Sequence, residues 1–309
     1  MLYNTTNYSL LLYLFRQQGE AHMRILLTGS KGQLAHCLRD RLPESWELIA
    51  TDSSSLNITD AEAVNNMVQN FQPDVVVNAA AYTAVDKAET DVSNAFAVNA
   101  QAVHHLAAAA QKIHARFIHV STDYVFDGNA KSPYRTTDST NPQSVYGKSK
   151  LAGELLALAA HPEAVIIRSS WLFSEYGNNF VKTMLRLADE RDSLSVVNDQ
   201  TGNPTYAGDL AAAIVSIIGE PEMHRGIYHY CGNKSVSWYE FADAVFQTAA
   251  KHINGFKMPE LKGIPSSEYP VPAPRPTYSV MDNHKIERDF KVKASDWQKA
   301  LNDIMGKLN

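Results

Sequence analysis

The chain has 309 residues, 45% apolar and 20% charged, with a formal net charge of −5. Those figures fit a water-soluble globular fold of one large or two unequal domains. No Lys/Arg cluster stands out and no apolar run reaches the ~20 residues of a bilayer span, which argues against a nucleic-acid polymer or a membrane as partner. Cys37 and Cys231 lie far apart and fit no metal spacing, so they read as reduced thiols of a cytoplasmic protein.

The N-terminal "YSLLLYLF" (8–15) has no basic flank and no small-residue cleavage site, so it does not read as a secretory signal. Residues 1–22 are expected to be an extension, with Met23 as the functional start. "RILLTG" (24–29) then reads as a strand ending in glycine, "QLAHCLRDRL" (33–42) as a helix, and "WELIATD" (46–52) as a second strand ending in an acid. "DAEAVNNMVQNF" (60–71) is a helix capped by Asp60 and stopped by Pro73. "DVVVNAAA" (74–81) is a fully apolar strand, residues 93–113 an alanine-rich helix, and "RFIHVS" (116–121) a further strand. This alternation of helices with continuously apolar strands predicts an α/β fold, a doubly wound parallel sheet buried on both faces. From about residue 170 the pattern loosens and prolines gather at 259–276, predicting a smaller region over the carboxyl edge of the sheet. Trp238, Tyr239 and Phe241 fall in a helical stretch and read, with Trp297, as core.

"TGSKGQLA" (28–35) spaces Gly29, Gly32 and Ala35 three residues apart between a strand and a helix, the context in which a glycine turn holds a pyrophosphate. Asp52 follows Gly29 by 23 residues and closes the second strand, where an acid holds the adenosine ribose. A turn-capping role is the simpler alternative for Asp52. Asp52 favours NADH by repelling a 2′-phosphate, whereas Lys31 inside the turn can neutralise one and admit NADPH.

"VYGKSK" (145–150) places Tyr146 and Lys150 on one helical face. A phenol titrates near pH ~10 and is a poor acid at neutrality unless a neighbouring ammonium stabilises its phenolate. Behind a dinucleotide fold, that pair makes a proton donor for a carbonyl receiving hydride. Thr122 ends the strand before this helix, where its hydroxyl can orient the carbonyl. Asp123 can bind a substrate hydroxyl or cap a turn.

With these residues in view, the sequence resembles the extended short-chain dehydrogenase/reductase superfamily and, within it, the dTDP-4-dehydrorhamnose reductase family. The resemblance is carried by "GSKGQLA", "DVVVNAAAYTAVDKAE" (74–89), "FAVNA" (96–100), "HVSTDYVFDG" (119–128), "VYGKSKLAGE" (145–154), "IIRSSWLF" (166–173), "NNFVKTML" (178–185), "VVNDQTGNPT" (196–205) and "PAPRP" (272–276). It implies a Rossmann-type NAD(P)-binding domain over residues 23–170. A smaller mixed α/β sugar-nucleotide-binding region would occupy 171–309, with segments returning to the Rossmann core. It implies reduction of the C4 ketone of dTDP-4-dehydro-L-rhamnose by NADPH or NADH, giving dTDP-L-rhamnose for cell-surface polysaccharide. By position it makes Tyr146 the proton donor, Lys150 its partner and a ribose ligand, and Thr122 the carbonyl orienter. It puts Asp123 and Trp171 at the substrate pocket and Arg275 at a substrate phosphate. Gly29, Gly32, Gln33 and Leu34 line the pyrophosphate, Asp52 the ribose, and Asn57 and Ile58 the adenine. Ala80, Ala81 and Tyr82 run along the cofactor, and Asn99 supports the site from behind.

Departures from the family pattern are Ala35 for the third glycine, Asn57 where many relatives have Asp, and Cys37 where some carry an acid for a magnesium-linked homodimer. Magnesium and a homodimer are therefore implied by the resemblance without evident ligands. A related reductase giving the 6-deoxy-talose epimer is one alternative, and a non-catalytic NADP-binding regulatory subunit of methionine adenosyltransferase another. A 4,6-dehydratase is disfavoured, because Tyr124 stands directly after Thr122-Asp123 where that chemistry places glutamate.

Overall fold

The computed structural model describes residues 22–221 and 224–308. The extension expected over 1–22 therefore lies outside the described residues, apart from His22. β1 (Arg24–Thr28) runs through the glycine turn into α1 (Gln33–Arg39), followed by β2 (Glu47–Thr51), α2 (Ala61–Phe71), β3 (Val75–Asn78), α3 (Val85–Ala88) and α4 (Val92–Phe96). A π-helical segment, Ala97–Gln101, joins α4 to α5 (Ala102–Lys112), so the helix read over 93–113 is one rod with an internal bulge. β4 (Arg116–Thr122), α6 (Val145–Ala160) and β5 (Val165–Ser169) complete this half. Then come β6 (Leu172–Phe173), α7 (Phe180–Glu190), β7 (Ser193–Val197), β8 (Thr201–Gly202), β9 (Thr205–Tyr206), α8 (Ala207–Gly219) and β10 (Gly226–His229). β11 (Val236–Ser237), α9 (Trp238–His252), β12 (Glu260–Ile264), α10 (His284–Phe290) and α11 (Trp297–Met305) end the described chain.

The main sheet has the order β10-β5-β4-β3-β1-β2, all parallel. Its strands are continuous apolar runs because both faces are covered. Leu34, Leu38, Leu210 and Ile214 pack on one face; Val64, Val68, Leu106 and Ala107 pack on the other. The buried alanines of α5 let that helix lie close to the sheet. From β1 the chain steps to β2 on one side and to β3 on the other. The carboxyl ends of β1 and β3 thus form a topological switch point, where open α/β sheets bind ligands.

A separate apolar core joins Phe173, Val181, Phe241, Val245, Trp297 and Leu301 of β6, α7, α9 and α11. Around it β8 pairs antiparallel with β11, and β6 with β9 and β7 with β12 pair in parallel. Among the described residues no helix is long and apolar enough to cross a membrane.

β3 stops at Asn78, three residues before the strand end read from its apolar run. The Ala80 N–H turns back to Asn78 Oδ1 (3.1 Å) instead of joining the ladder, so Ala80, Ala81 and Tyr82 leave the sheet at its carboxyl edge. Asn99 in the π-segment pins this loop: its Oδ1 accepts from Tyr82 N (2.8 Å) and its Nδ2 donates to Tyr82 O (3.0 Å) and Ser149 Oγ (3.0 Å).

Candidate active site

The glycine turn tolerates no side chain at its first glycine. Gly29 has φ +79°, and a Cβ there would lie 2.7 to 2.8 Å from the Ala79 and Ala80 backbone. Gly32 N donates to Gly29 O (2.9 Å), which closes the turn. α1 begins with no side-chain cap and no acid in its first turn, so its leading N–H groups are left for an anion. Gln33 contributes little beyond its backbone, because its side chain reaches Leu172 O (3.1 Å) and accepts from Ser174 Oγ (3.1 Å). Leu34 is buried beneath the turn.

Asp52 Oδ2 lies 2.6 Å from Lys31 Nζ, while Oδ1 accepts from Ser54 N, Ser54 Oγ and Ser55 N. Lys31, then the serines, hold this carboxyl well below the usual carboxylate range. The acid and the cation that the sequence reading sets against each other over a 2′-phosphate are therefore paired with one another. Asn57 Oδ1 closes its own turn onto Thr59 N (3.1 Å) and Thr59 Oγ1 (2.8 Å), which commits the carbonyl end of the side chain locally. Ile58 is buried beside α5. Tyr82 sends its hydroxyl to Asp91 (3.0 Å), and its backbone N–H and carbonyl are both held by the Asn99 side chain.

α6 presents the second half of the site. Ser144 caps it by accepting from Gly147 N (3.1 Å), and Glu89 accepts from Val145 N (2.8 Å). Gly147 packs directly on the Tyr124 carbonyl, a contact that leaves no room for a Cβ, and this brings Tyr146 edge-on to Tyr124 at 5.4 Å between ring centroids. Burial pushes the Tyr146 phenol up to about 12; the nearby Thr122 side chain pulls it down and Asp123 adds to the rise. Thr122 Oγ1 donates to Asp123 Oδ1 (3.0 Å) and accepts from Tyr124 N (3.2 Å). Asp123 is buried and its carboxyl is pushed up to about 6 by burial.

Lys150 behaves differently from the sequence expectation. No hydrogen bond joins it to Tyr146. It is 2% exposed; Nζ donates to Val120 O (2.7 Å) and lies 3.4 Å from His119 Nε2. Burial brings it down to about 8, against the pull of Glu154. Lys150 does not figure among the causes that move the Tyr146 phenol.

Trp171 and Arg275 are the remaining candidate substrate residues. Trp171 holds an unusual left-handed backbone (φ +46°) and stacks on Trp238, with ring centroids 3.4 Å apart and planes 7° apart. Trp238 is half-buried and also meets Phe180 at 4.6 Å, so it is a stacking partner as well as part of the core. Arg275 Nη2 donates to Asp86 Oδ2 (2.8 Å), and its guanidinium stands 5.9 Å from the centre of the Tyr124 ring. Its Nη1 is buried with no partner among the described residues.

Several residues at this site lie inside the quoted motifs, but the sequence reading assigned them no role. Glu154 and Arg168 form a buried fork, Nε to Oε1 at 2.9 Å and Nη2 to Oε2 at 2.7 Å, and Ser121 Oγ donates to the same carboxylate at 2.5 Å. Glu154 recurs eight residues after Tyr146, the helical spacing that could have flagged it. Asn78 and His119 meet across β3 and β4, a pairing that sequence spacing does not reveal.

Among the described residues no group of three or more His, Cys, Asp and Glu side chains converges on a metal. Cys37 is buried with its thiol pushed up to about 12, mainly by that burial, and magnesium takes oxygen ligands.

Residues 23–309 match the family described as RmlD substrate binding domain. A curated dTDP-4-dehydrorhamnose reductase from Aggregatibacter actinomycetemcomitans is 46% identical over 91% of this chain and 98% of its own length. A crystal structure of a dTDP-4-dehydrorhamnose reductase from Clostridium acetobutylicum superposes with a TM-score of 0.86 at 40% identity, covering 91% of this chain and 98% of that one. A second, from Bacillus anthracis in complex with NADP, gives 0.86 at 35% identity over 92% and 98%.

Proposed function

The chain belongs to the dTDP-4-dehydrorhamnose reductase family, and from that premise we infer that it reduces the C4 ketone of dTDP-4-dehydro-L-rhamnose to dTDP-L-rhamnose with NAD(P)H. The observation that carries this reading is the convergence at one sheet edge of the uncapped glycine turn with Thr122, Tyr146 and Lys150. A purely NADP-binding regulatory subunit has no use for the second group, and the family relatives favour the rhamnose product over the 6-deoxy-talose epimer.

The glycine-turn N–H groups and the first turn of α1 hold the pyrophosphate. Asp52, with Lys31 beside it, meets the ribose, and the Ala80–Tyr82 edge runs along the remainder. When bound, NAD(P)H supplies the hydride. Tyr146 gives its phenolic proton to the oxygen that becomes the C4 hydroxyl. Thr122 turns its hydroxyl from Asp123 to the substrate carbonyl and fixes its direction. Lys150 holds no hydrogen bond to Tyr146; its ammonium, turned to Val120 O and His119, can favour the phenolate that Tyr146 becomes only as a buried charge one helical turn away. Asp123 meets a sugar hydroxyl, Trp171 closes over the sugar, and Arg275 offers its unpartnered Nη1 to the diphosphate. The residues after 170 form the sugar-nucleotide side of the cleft and those before it the cofactor side. With two buried free thiols, Cys37 and Cys231, the enzyme acts in the cytoplasm.

Tyr146→Phe tests the assignment. It removes one oxygen and leaves the ring against Tyr124, so NAD(P)H binding and folding should persist while kcat falls by roughly 10²–10⁴-fold. Near-normal turnover in that variant would remove Tyr146 from the mechanism.

A further inference from the structure

His119 is wholly buried on β4, directly opposite Asn78 of β3, which in turn lies opposite Thr28 of β1. This polar row crosses the sheet just beneath the site, and the mechanism above does not use it. Its hydrogen-bond directions can be assigned from one end. The backbone N–H of Ala80 can only donate, and it meets Asn78 Oδ1 at 3.1 Å; the Thr28 hydroxyl meets the same oxygen at 2.6 Å. The other branch of the amide is therefore the NH2 group, and it points at His119 Nδ1 from 3.0 Å. An amide NH2 only donates, so Nδ1 must accept. A neutral imidazole that accepts at Nδ1 carries its proton on Nε2. Burial, with the Lys150 charge adding to it, keeps this ring neutral.

That Nε2–H faces Lys150 Nζ at 3.4 Å. An ammonium there has three N–H donors and no acceptor, so the two groups present donors to each other. A neutral amine can still donate to Val120 O at 2.7 Å, and its lone pair can accept from His119. The contact is satisfied only when Lys150 has lost a proton. We propose that His119 is a positioning residue that makes Lys150 more acidic, through a ring tautomer dictated by Asn78. The inference rests on the reading of Lys150 as the cation behind Tyr146. Lys150 is brought down to about 8, in the same direction.

The other titratable or charged groups around Lys150 act in different senses. Glu154, on the same helix, favours the ammonium, but its carboxylate is already shared by Arg168 of β5 and Ser121 of β4. Tyr146 precedes Lys150 on α6. Asp123 and Tyr124 follow β4, and Glu89, just after α3, is engaged at the α6 N-terminus. Asn99 and Ser149, on the side of the π-segment, are uncharged.

The test uses the full chain without substrate. Nitrogen NMR of 15N-histidine-labelled protein reads the tautomer, and 13C-lysine signals, assigned with Lys150→Met, read the Lys150 titration. We expect a neutral Nε2–H ring at neutral pH. His119→Asn keeps an acceptor for Asn78 but reaches no donor to Lys150, and should move the Lys150 titration upward by about one pH unit. His119→Gln extends an amide N–H toward Lys150 and should leave the titration near its wild-type position. The alkaline limb of kcat/KM should follow the same order, with the KM for NAD(P)H unchanged. An Nδ1–H tautomer in the wild type would overturn the proposal without any variant. An unmoved Lys150 in His119→Asn, or equal shifts in both variants, would also overturn it. If the wild-type chain fails to turn over the dTDP-sugar while the tautomer and titrations hold, the functional reading falls and this one stands.

Discussion

Thr122 Oγ1 donates to Asp123 Oδ1 at 3.0 Å, while Asp123 Oδ2 is buried with no partner among the described residues. Ser279 lies close enough to favour the charged form, yet no donor completes a hydrogen bond of normal geometry to Oδ2. Burial dominates and lifts the carboxyl to about 6. The folded state thus binds this proton more tightly than the unfolded chain. That contribution to stability is full below the unfolded value near ~4 and is lost as pH rises through about 6. Asp123→Asn cannot ionise. It should melt higher than wild type at pH ~8, by up to about 3 kcal/mol, with the difference shrinking toward pH ~4, while kcat falls. Thermal denaturation across pH checks this, and a less stable variant at alkaline pH would show that Oδ2 has a partner after all.

Lys31 and Asp52 make cofactor preference a balance between two paired charges. Lys31→Ala leaves the Asp52 carboxylate unopposed where a 2′-phosphate would lie. NADPH affinity should fall about tenfold, equivalent to ~1.4 kcal/mol, and NADH affinity much less. Fluorescence titration with both cofactors measures it; equal losses would place the 2′-position elsewhere.

The Glu154–Arg168 fork is buried on both sides, 1% and 2% exposed. Removing one partner strands the other charge, so Glu154→Ala should cost about 3–5 kcal/mol of stability. Replacing both with apolar residues of similar volume should cost much less. Denaturant unfolding of the single and double variants separates these outcomes, and equal losses would mean that the fork itself supplies the stability.

Trp238 supports Trp171 in its left-handed backbone by stacking at 3.4 Å. Trp238→Leu removes that support, worth about 0.5–1.5 kcal/mol beyond its area. The KM for the dTDP-sugar should rise up to about tenfold, with NAD(P)H binding unchanged. Steady-state kinetics with each substrate varied in turn would reveal the split, and an altered cofactor KM alone would detach Trp171 from the sugar.

The fold was largely readable because its signals are local. Apolar strands, helical spacing and a glycine turn each declare themselves within a dozen residues, and β1 through α6 follow the predicted order except for the short α3 at Val85–Ala88, which the sequence reading did not include. Candidate site residues could be named where they lie in motifs, and the glycine turn, Thr122, Tyr146 and Lys150 meet at one sheet edge. Orientation was not legible. Spacing places Tyr146 and Lys150 on one face, but the ammonium turns inward to Val120 and His119 because those partners come from a strand that sequence cannot register. The end of β3 was missed for a related reason: Asn78 ends the strand with a side-chain hydrogen bond inside an apolar run. Trp238 read as core because its partner, Trp171, lies 67 residues away in sequence.

Tyr124 stands where elimination chemistry would place a glutamate, and it packs edge-on to Tyr146. Given dTDP-glucose and NAD, the purified chain should form no 4-keto-6-deoxy sugar. Its appearance would turn the site into a dehydratase.

The most direct measurement is oxidation of NADH and NADPH by the purified chain with enzymatically generated dTDP-4-dehydro-L-rhamnose, with NMR identification of the sugar formed. Cofactor oxidation should be matched one-for-one by dTDP-L-rhamnose and fall by roughly 10²–10⁴-fold in Tyr146→Phe. No oxidation with either cofactor, or a 6-deoxy-talose product, would contradict it.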